Sequence, residues 1–266
     1  MRLTFLALTL MALPVSAVEI IAHRGASYDA PENTLSSVKL AWEQNTDSVE
    51  IDVYLSKDGR IVLFHDKETD RIGGRKKKII DQTYEELQQL DVGAWKDLKY
   101  AGEKMPTLEE ILPTIPDGKR LYVEIKHDAS ILRELKKSFA KAGVDGEKIT
   151  IIAFDCDVIV GTKKLMPSIP AYWLSSIKQD KQTGEWGPPR EELIAKAKAA
   201  GVEGLDLQAQ PVIDADYVKA VKDAGLEFYV WTVNDPAEAK RLVEAGVDGI
   251  TTDRPGWMKE QLGLAK

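Results

Sequence analysis

The sequence predicts a parallel α/β barrel of the TIM (β/α)8 type. Short runs rich in β-branched residues alternate with longer amphipathic segments, and eight such runs can be counted. Four of the amphipathic segments end on Ala-Gly-Val or Ala-Gly-Leu, as expected where a helix stops at a left-handed glycine and passes into a strand. Eight strands with intervening helices in about 250 residues match a TIM barrel, whereas a doubly wound sheet usually has fewer strands.

The predicted elements follow one another in a regular order. Strands are expected at residues 18–22, 48–55, 120–126, 148–154, 171–175, 204–207, 227–232 and 248–252. The clearest helices are expected at residues 34–44, 130–142, 190–200, 215–224 and 236–245. Residues 66–105 interrupt the repeat, since they are polar and contain a basic run at 71–78, which we expect to be a solvated loop. They are predicted to form a small insertion after the second strand.

The first 17 residues have the pattern of a secretory signal peptide. Arg2 precedes an apolar run at residues 3–13, and small residues stand at Val15 and Ala17, where a signal peptidase reads. The run is too short to cross a bilayer, which needs about 20 apolar residues, so stable membrane insertion is not expected. The sequence therefore predicts cleavage after Ala17, a single barrel domain at residues 18–266, and a periplasmic or secreted protein.

Composition limits the classes of partner. The formal net charge is −7, and a nucleic-acid binder would need a basic face, so a nucleic-acid partner is not expected. A small phosphorylated substrate remains compatible, because a few local cations suffice to bind it. Cys156 is the only cysteine, so no intramolecular disulfide can form, and we expect it to be a buried apolar residue near a strand end. The sequence leaves the oligomeric state open.

Charged residues are concentrated in the second and third predicted strands. Because side chains alternate along a strand, Glu50 and Asp52 share one face, as do Glu124 and Lys126. Three carboxylates in one barrel interior would repel each other unless a cation neutralised them, and an all-oxygen set suits Mg²⁺ or Ca²⁺ better than Zn²⁺. A surface salt-bridge network is the alternative, and the valines beside these residues, typical of buried strands, disfavour it.

Two of the three histidines lie where chemistry is expected in a barrel. His23 follows the first strand beside Arg24, and His65 precedes Asp66, which could orient its imidazole. Two such histidines can divide acid and base roles between them. His127 is expected to be structural, since strand alternation points it away from the interior. Trp231, at the end of the seventh strand, is expected to form an apolar wall of the site.

Longer motifs surround these residues. They are HRGASYDAPENT at residues 23–34, VEIDV at 49–53, FHD at 64–66 and VEIK at 123–126, followed by matches at 81–95, 106–112, 231–234 and 252–255. In this order they resemble the glycerophosphodiester phosphodiesterase family over nearly the whole predicted mature chain. The resemblance implies a TIM barrel with a small insertion after the second strand. It also implies hydrolysis of glycerophosphodiesters to glycerol 3-phosphate and an alcohol, with one divalent metal ion.

The resemblance also assigns roles residue by residue. It implies that His23 and His65 are the acid/base pair and that Glu32 supports the first loop. The remaining implied roles are Arg24 and Lys126 for phosphate, Trp231 for the glycerol chain, and Glu50, Asp52 and Glu124 for Ca²⁺ or Mg²⁺.

Three alternatives stay open at this stage. The same chemistry could act on lysophospholipids, which would require an apolar channel for the acyl chain. A catalytically silent barrel could bind phosphorylated ligands or a host protein, although such a module has no use for two histidines and three carboxylates. An enolase-type barrel is conceivable from the carboxylates, but the later strands lack the bases that this chemistry requires.

Overall fold

The computed structural model describes residues 18–265, and these residues form a closed eight-stranded parallel barrel with helices between the strands. The predicted signal peptide at residues 1–17 lies outside the described residues. The TIM-barrel prediction is confirmed. Among the described residues, no helix is long and apolar enough to cross a membrane.

The eight barrel strands occupy nearly the predicted positions, and three further short strands were not predicted. In chain order, the strands are β1 Glu19–Ala22, β2 Ser48–Leu55, β3 Ile61–Leu63, β4 Arg120–Ile125, β5 Ile149–Ala153, β6 Ala171–Ser175, β7 Lys178–Gln179, β8 Trp186–Gly187, β9 Gly204–Gln208, β10 Glu227–Trp231 and β11 Gly249–Thr252. Strands β3, β7 and β8 are the three that were not predicted. Around the barrel the order is β1, β2, β4, β5, β6, β9, β10 and β11, and β11 pairs with β1 to close it. Strands β7 and β8 form a separate short hairpin.

The helices lie on the outside of the barrel or in the connecting segments. They are α1 Leu35–Glu43, α2 Asp70–Gly73, α3 Tyr84–Leu87, α4 Leu108–Ile111, α5 Leu132–Ala142, α6 Cys156–Leu165, α7 Arg190–Ala200, α8 Ala215–Asp223, α9 Pro236–Ala245 and α10 Pro255–Gln261. The glycines that end α5, α7 and α9, together with Gly225 after α8, all have the predicted left-handed backbone conformation. These caps are the reason each helix turns directly into the next strand.

Alternation along the barrel strands separates two apolar regions. Residues such as Ile51 and Val123 face the helices and belong to the large outer core. Inside the barrel, Tyr122, Tyr172 and Tyr229 contact one another, with ring centroids 4.9–6.0 Å apart. The hydroxyls of Tyr122 and Tyr229 donate to Glu19 at the start of β1, so the rings fill the amino-terminal end of the barrel. This packing leaves space only toward the carboxyl-terminal end of the described barrel.

The segment between β2 and α4 departs from the repeat, as predicted. Its strand β3 runs antiparallel to β2, and its side chains form a small apolar cluster of their own, which includes Val62, Ile79 and Leu87. The β2–β3 hairpin folds back far enough for the Phe64 N–H to donate to the Asp52 carbonyl at 3.1 Å. His65, the next residue, is thereby brought to the end of the barrel where β2 terminates.

One sequence prediction was wrong. Cys156 is exposed rather than buried. Strand β5 ends at Ala153, and the Asp155 side chain caps α6, so Cys156 becomes the first residue of a helix on its solvent side.

Candidate active site

A cavity of about 230 Å³ opens at the carboxyl-terminal end of the barrel. Of the nine predicted site residues, all except Glu32 and Asp52 line it. Asp52 lies directly beneath the cavity, since one of its carboxylate oxygens is within 4.8 Å of oxygens of Glu50 and Glu124. His127 is not among the residues that line the cavity, in agreement with its predicted structural role.

Glu50, Asp52 and Glu124 form a buried carboxylate trio. They are 2%, 0% and 8% exposed, and one oxygen from each lies within 4.8 Å of the others. The register explains the meeting, because Asp52 pairs with Glu124 across β2 and β4. Strand alternation thus brings the three predicted ligands together.

One oxygen of each carboxylate in the trio lacks an aligned hydrogen-bond donor among the described residues. Glu50 Oε2 accepts from the Arg24 N–H at 2.8 Å, and Asp52 Oδ2 accepts from Asn33 Nδ2 at 2.7 Å. Glu50 Oε1, Asp52 Oδ1 and Glu124 Oε1 are buried without a hydrogen-bond donor among the described residues. Buried anionic oxygens are costly unless they are paired. Three of them together fit a hard divalent cation.

Two cations stand beside the trio. Lys126 Nζ lies 2.6 Å from Glu124 Oε1 and 3.3 Å from Asp52 Oδ1, although without the alignment of a hydrogen bond. Arg24 Nε lies 3.2 Å from Asp52 Oδ2 and is likewise buried without a hydrogen bond. Both side chains line the cavity, so both can present N–H groups to an anion there.

The proton affinities of the trio reflect this crowding. Burial, reinforced by Asp52, raises the pKa of Glu124 to about 8. Burial together with Asp52 and Glu124 raises the pKa of Glu50 well above its usual range. Burial also opposes ionisation of Asp52, but Lys126 and Arg24 outweigh it and lower the pKa of that carboxyl. Three ionised carboxylates beside two cations leave a net negative charge, which is balanced only when further positive charge is present.

His23 is oriented by a carboxylate from the other end of the chain. Its Nδ1 lies 2.6 Å from Asp253 Oδ1, and Asp253 also accepts from Ser27 Oγ and Asn234 Nδ2. Burial opposes ionisation of Asp253, but the bond to His23 and the other donors lower its pKa to about 2. An ionised partner at Nδ1 holds a proton on that nitrogen and leaves Nε2 available.

His65 is oriented in the same way by Asp66, as predicted. The His65 Nδ1 to Asp66 Oδ1 distance is 2.7 Å. Burial lowers the pKa of His65 against the opposing effects of Asp52 and Asp66, and Arg24 and Lys126 act in the same direction as burial. The imidazole is therefore neutral near pH 7, with one ring nitrogen able to accept a proton.

A chain of ion pairs joins the His65 side of the cavity to the carboxylate trio. Arg71 Nε bonds Asp66 Oδ2 at 2.5 Å, and Arg71 Nη2 bonds Glu32 Oε1 at 2.7 Å. Glu32 Oε1 also accepts from Arg24 Nη1 at 3.0 Å. Glu32 thus holds Arg24 in place and does not line the cavity, consistent with the supporting position predicted for it.

Backbone strain marks the loop that carries Arg24. Arg24 and Asn33 have φ values of 55° and 56°, a conformation that costs energy for residues with a side chain. Between them, Gly25 approaches α1 so closely that a Cβ would lie 2.5 Å from the Ser37 backbone. The strained geometry directs the Arg24 N–H onto Glu50 and the Asn33 amide onto Asp52.

Two aromatic side chains form an apolar wall of the cavity. Trp231 and Phe154 meet edge to face with ring centroids 5.5 Å apart. The Trp231 indole N–H donates to the Asp206 carbonyl at 3.1 Å, which fixes the plane of the ring. Phe154 is 44% exposed and lies under Lys126, 5.8 Å from its Nζ.

Sequence reasoning missed four residues of this region. They are Asn234, Asp253, Arg71 and Asp206. Asn234 and Asp253 lie in the family motifs WTVN (231–234) and TDRP (252–255). These motifs marked both residues as part of the resemblance but did not indicate their function. Arg71 belongs to the basic run expected to be solvated, and it is half exposed yet paired on both sides. Asp206 lies in an apolar strand with no motif around it.

The fold and this polar mouth define a TIM-barrel enzyme, since in such barrels the reactive groups gather at the carboxyl-terminal ends of the strands. Comparison with known proteins narrows the class. The profile of the glycerophosphoryl diester phosphodiesterase family matches residues 23–257, and the chain belongs to that family. It is accordingly a phosphoric diester hydrolase.

Individual relatives extend the match over nearly all of the chain. A glycerophosphodiester phosphodiesterase of Caldanaerobacter subterraneus is 31% identical over 240 residues, which cover 89% of this chain and 94% of the relative. A phosphodiesterase of Oleispira antarctica, solved with the product sn-glycerol 3-phosphate, superposes with a TM-score of 0.82 at 29% identity and covers 92% and 96%. A glycerophosphodiester phosphodiesterase of Parabacteroides distasonis gives a TM-score of 0.74 at 27% identity and covers 94% and 98%.

Proposed function

We propose that this enzyme hydrolyses water-soluble glycerophosphodiesters, such as glycerophosphocholine and glycerophosphoethanolamine, to sn-glycerol 3-phosphate and an alcohol. His23 and His65 act as its acid/base pair. The observation that carries the proposal is that both imidazoles, each oriented at Nδ1 by an aspartate, face one cavity with two cations and three carboxylates. The product bound to the Oleispira antarctica relative supports the choice of glycerol 3-phosphate.

The two cations suit the charge that develops in the reaction. A phosphodiester carries one negative charge and gains a second in the pentacoordinate transition state. Arg24 and Lys126 therefore bind the transition state more tightly than the substrate. Their neighbours Glu32 and Glu124 hold them against the cavity wall, so little reorganisation is needed.

The two histidines move the protons. One imidazole enters the step neutral and takes the proton from the attacking hydroxyl, while the other enters it protonated and gives its proton to the leaving alcohol oxygen. The family resemblance implies that the attacking hydroxyl is the substrate's own glycerol 2-hydroxyl. The first products are then the free alcohol and a cyclic phosphate, which water opens with the roles of the two histidines reversed.

Glu50, Asp52 and Glu124 would hold one divalent ion, Ca²⁺ or Mg²⁺. When bound, this ion would neutralise the trio and polarise a phosphoryl or hydroxyl oxygen. The three converging oxygens support the assignment, since none has an aligned hydrogen-bond donor among the described residues, although Lys126 Nζ lies near those of Asp52 and Glu124.

Cavity size favours a small substrate over a lysophospholipid. About 230 Å³ is below the volume of pockets that hold drug-sized ligands, whereas a long acyl chain would need a channel in addition. The two substrates separate in one assay. Purified enzyme is treated with a chelator, supplied with Ca²⁺ or Mg²⁺, and given glycerophosphocholine or lysophosphatidylcholine, and released choline is measured.

We expect metal-dependent release from glycerophosphocholine and little from the lysophospholipid. Preference for the lysophospholipid would overturn the substrate assignment. Failure to release an alcohol from any glycerophosphodiester, with either metal, would support the silent binding barrel instead.

We also propose that the protein is exported and cut after Ala17. The support is the pattern of residues 1–17 described above. Sequencing the amino terminus of protein recovered from the periplasmic and culture fractions tests it. A terminus at Met1 in cytoplasmic protein would contradict it.

A further inference from the structure

Asp206 lies on the side of the barrel opposite the carboxylate trio. It is the middle residue of β9, and β9 is four strands away from β2 in either direction around the closed barrel. Its side chain points inward, since its neighbours Leu205 and Leu207 belong to the outer core. Asp206 lines the same cavity as the two histidines.

The Asp206 carboxyl is buried, and its Oδ1 lacks a partner in the part of the chain that the structure describes. The residue is 1% exposed. Its neighbours in register are Leu174 on β6 and Tyr229 on β10, which belong to the apolar interior cluster. The inward residues nearest to it, Ile152 of β5 and Tyr172 of β6, are also apolar or aromatic, and the polar inward residues Thr150, Gln208 and Glu227 lie in other layers. A buried acid with no partner is a cost to folding that the apolar neighbours do nothing to offset.

We propose that Asp206 is a substrate-binding residue that hydrogen-bonds the terminal hydroxyl of the glycerol group and so makes the site selective for glycerol phosphodiesters. The inference rests on the proposed function and names the part of the substrate that one further residue recognises. It also adds a polar contact to what is otherwise an apolar wall.

Depth in the cavity assigns Asp206 to the glycerol end of the substrate. Trp231 is in register with Gln208, two residues farther toward the mouth, so Asp206 lies one layer below the indole. The leaving alcohol must depart and therefore faces the open mouth, where Phe154 is exposed. The phosphate then lies between the mouth and the bottom of the cavity, against Arg24 and Lys126. The glycerol group therefore lies at the bottom of the cavity, near Asp206.

The protonation state of Asp206 favours a hydroxyl partner. Burial raises the pKa of its carboxyl to about 8. A neutral carboxylic acid has one O–H donor and one carbonyl acceptor, which is the complement of an alcohol. A cationic head group would instead require the ionised form in a low-dielectric site, beside no second charge. Binding of a cationic head group by Asp206 is therefore disfavoured, and the experiment below tests it.

The test compares two matched substrates. One is sn-glycero-3-phosphocholine, and the other is 2-hydroxypropyl phosphocholine, which keeps the attacking hydroxyl and lacks only the terminal one. A site built to bond a hydroxyl rejects the analogue without it strongly, so we expect wild-type kcat/KM to differ by about 100-fold or more. In Asp206→Leu the ratio should fall to within about tenfold, whereas Asp206→Asn, which keeps a donor and an acceptor, should retain most of it.

Two controls separate this inference from its alternatives. Leu174→Val alters the neighbouring floor without changing its polarity, so the ratio should not change. Calorimetric titration of sn-glycerol 3-phosphate and 1,2-propanediol 1-phosphate into metal-loaded wild type and Asp206→Leu gives a readout that does not depend on turnover. The same loss of preference is expected in these affinities.

Each outcome has a definite meaning. A ratio that is equal in wild type and Asp206→Leu, in turnover and in product affinity, overturns the inference while leaving the proposed function intact. Head groups are also compared, by exchanging choline for a neutral alcohol. If Asp206→Leu lowers kcat/KM only for the cationic head group, the inference is overturned in favour of a cation site. An inactive wild type that still binds glycerol 3-phosphate through Asp206 would overturn the proposed hydrolysis and uphold the contact.

Discussion

The imidazole of His23 and the carboxylate of Asp253 meet at 2.6 Å, although 230 positions separate them in the chain. The contact exists because β11 closes the barrel against β1, so that the residues following both strands lie side by side. It fixes the ring of one histidine of the proposed acid/base pair, and a similar contact with Asp66 fixes the other.

Asp253→Asn should lower kcat sharply while leaving KM nearly unchanged. An amide can donate to Nδ1 and stabilise the wrong tautomer, and a comparable change in serine proteases costs about 10⁴-fold, so we expect a loss of about 10²–10⁴-fold. Steady-state kinetics on glycerophosphocholine measure it. Asp235→Asn, at the exposed cap of α9, is the control, because asparagine caps a helix as well as aspartate. Equal activity in the two variants would show that Asp253 does not orient His23.

The same pair predicts a dependence of stability on acid. The pKa of Asp253 is lowered from 3.8 to about 2, so its ionised form stabilises the fold above pH 4, and this stabilisation is lost as pH falls toward 2. Because the group is partly exposed, about 1 kcal/mol is expected. Urea unfolding of wild type and Asp253→Asn should therefore converge between pH 4 and pH 2. A constant difference across this window would contradict the assignment.

His23→Ala and His65→Ala should each abolish turnover and leave metal binding nearly intact. In the proposed mechanism the imidazoles transfer protons, whereas the candidate metal ligands are carboxylates, so the two functions are separable. Loss of about 10²–10⁴-fold in kcat is expected in each variant, with calorimetric metal affinity close to that of the wild type. His127→Ala, outside the cavity, is the control and should keep its activity. Loss of metal binding in His23→Ala or His65→Ala would contradict the separation of proton transfer from metal binding.

Glu50→Gln and Asp52→Asn should weaken the metal more than about tenfold. Each change removes an anionic oxygen from a site where three carboxylates converge within 4.8 Å. Titration of Ca²⁺ and Mg²⁺, followed by calorimetry and by the rise in Tm, measures the effect. Glu227→Gln, at the opposite end of the barrel, is the control. Unchanged metal affinity in both Glu50→Gln and Asp52→Asn would show that these carboxylates do not bind the metal.

Arg71→Ala should lower kcat/KM by about tenfold without unfolding the protein. Arg71 bonds Asp66 and Glu32 at once, so its loss frees the orienting partner of His65 and the anchor of Arg24. The effect is exerted through positioning, and the pH profile of kcat should change because His65 loses an ordered neighbour. Lys76→Ala, exposed in the same basic run, is the control. Identical kinetics in the two variants would show that Arg71 is a solvated loop residue with no positioning role.

Asp206→Leu should stabilise the fold, and the gain should grow with pH. The pKa of Asp206 is raised from 3.8 to about 8, so the folded chain holds a proton that the unfolded chain releases, and stability falls as pH rises from about 4 to about 8. Leucine removes that dependence and fills the site with apolar atoms. Chemical unfolding at pH 5 and pH 8 measures it. A gain that is the same at both values would mean that Asp206 is ionised in the folded state.

The sequence alone determined the repeating architecture and the members of the carboxylate trio. Both follow from local rules, since glycine caps and β-branched runs depend on residues a few positions apart, and alternation fixes which side chains share a face. Glu50, Asp52, Glu124 and Lys126 could be assigned to one interior before any distance was known. The pairing of His65 with Asp66 was predictable for the same reason, because the two are adjacent.

Only the tertiary structure decided which distant groups meet. Asp253 reaches His23 through barrel closure, Arg71 reaches Glu32 because the insertion folds back over the first loop, and Asp206 faces the trio because β9 stands opposite β2. No local pattern encodes these contacts, since they depend on strand register, on closure and on the path of a long connection. The sequence thus supplied the reactive groups, and the closed barrel determined how each one is oriented, charged and partnered.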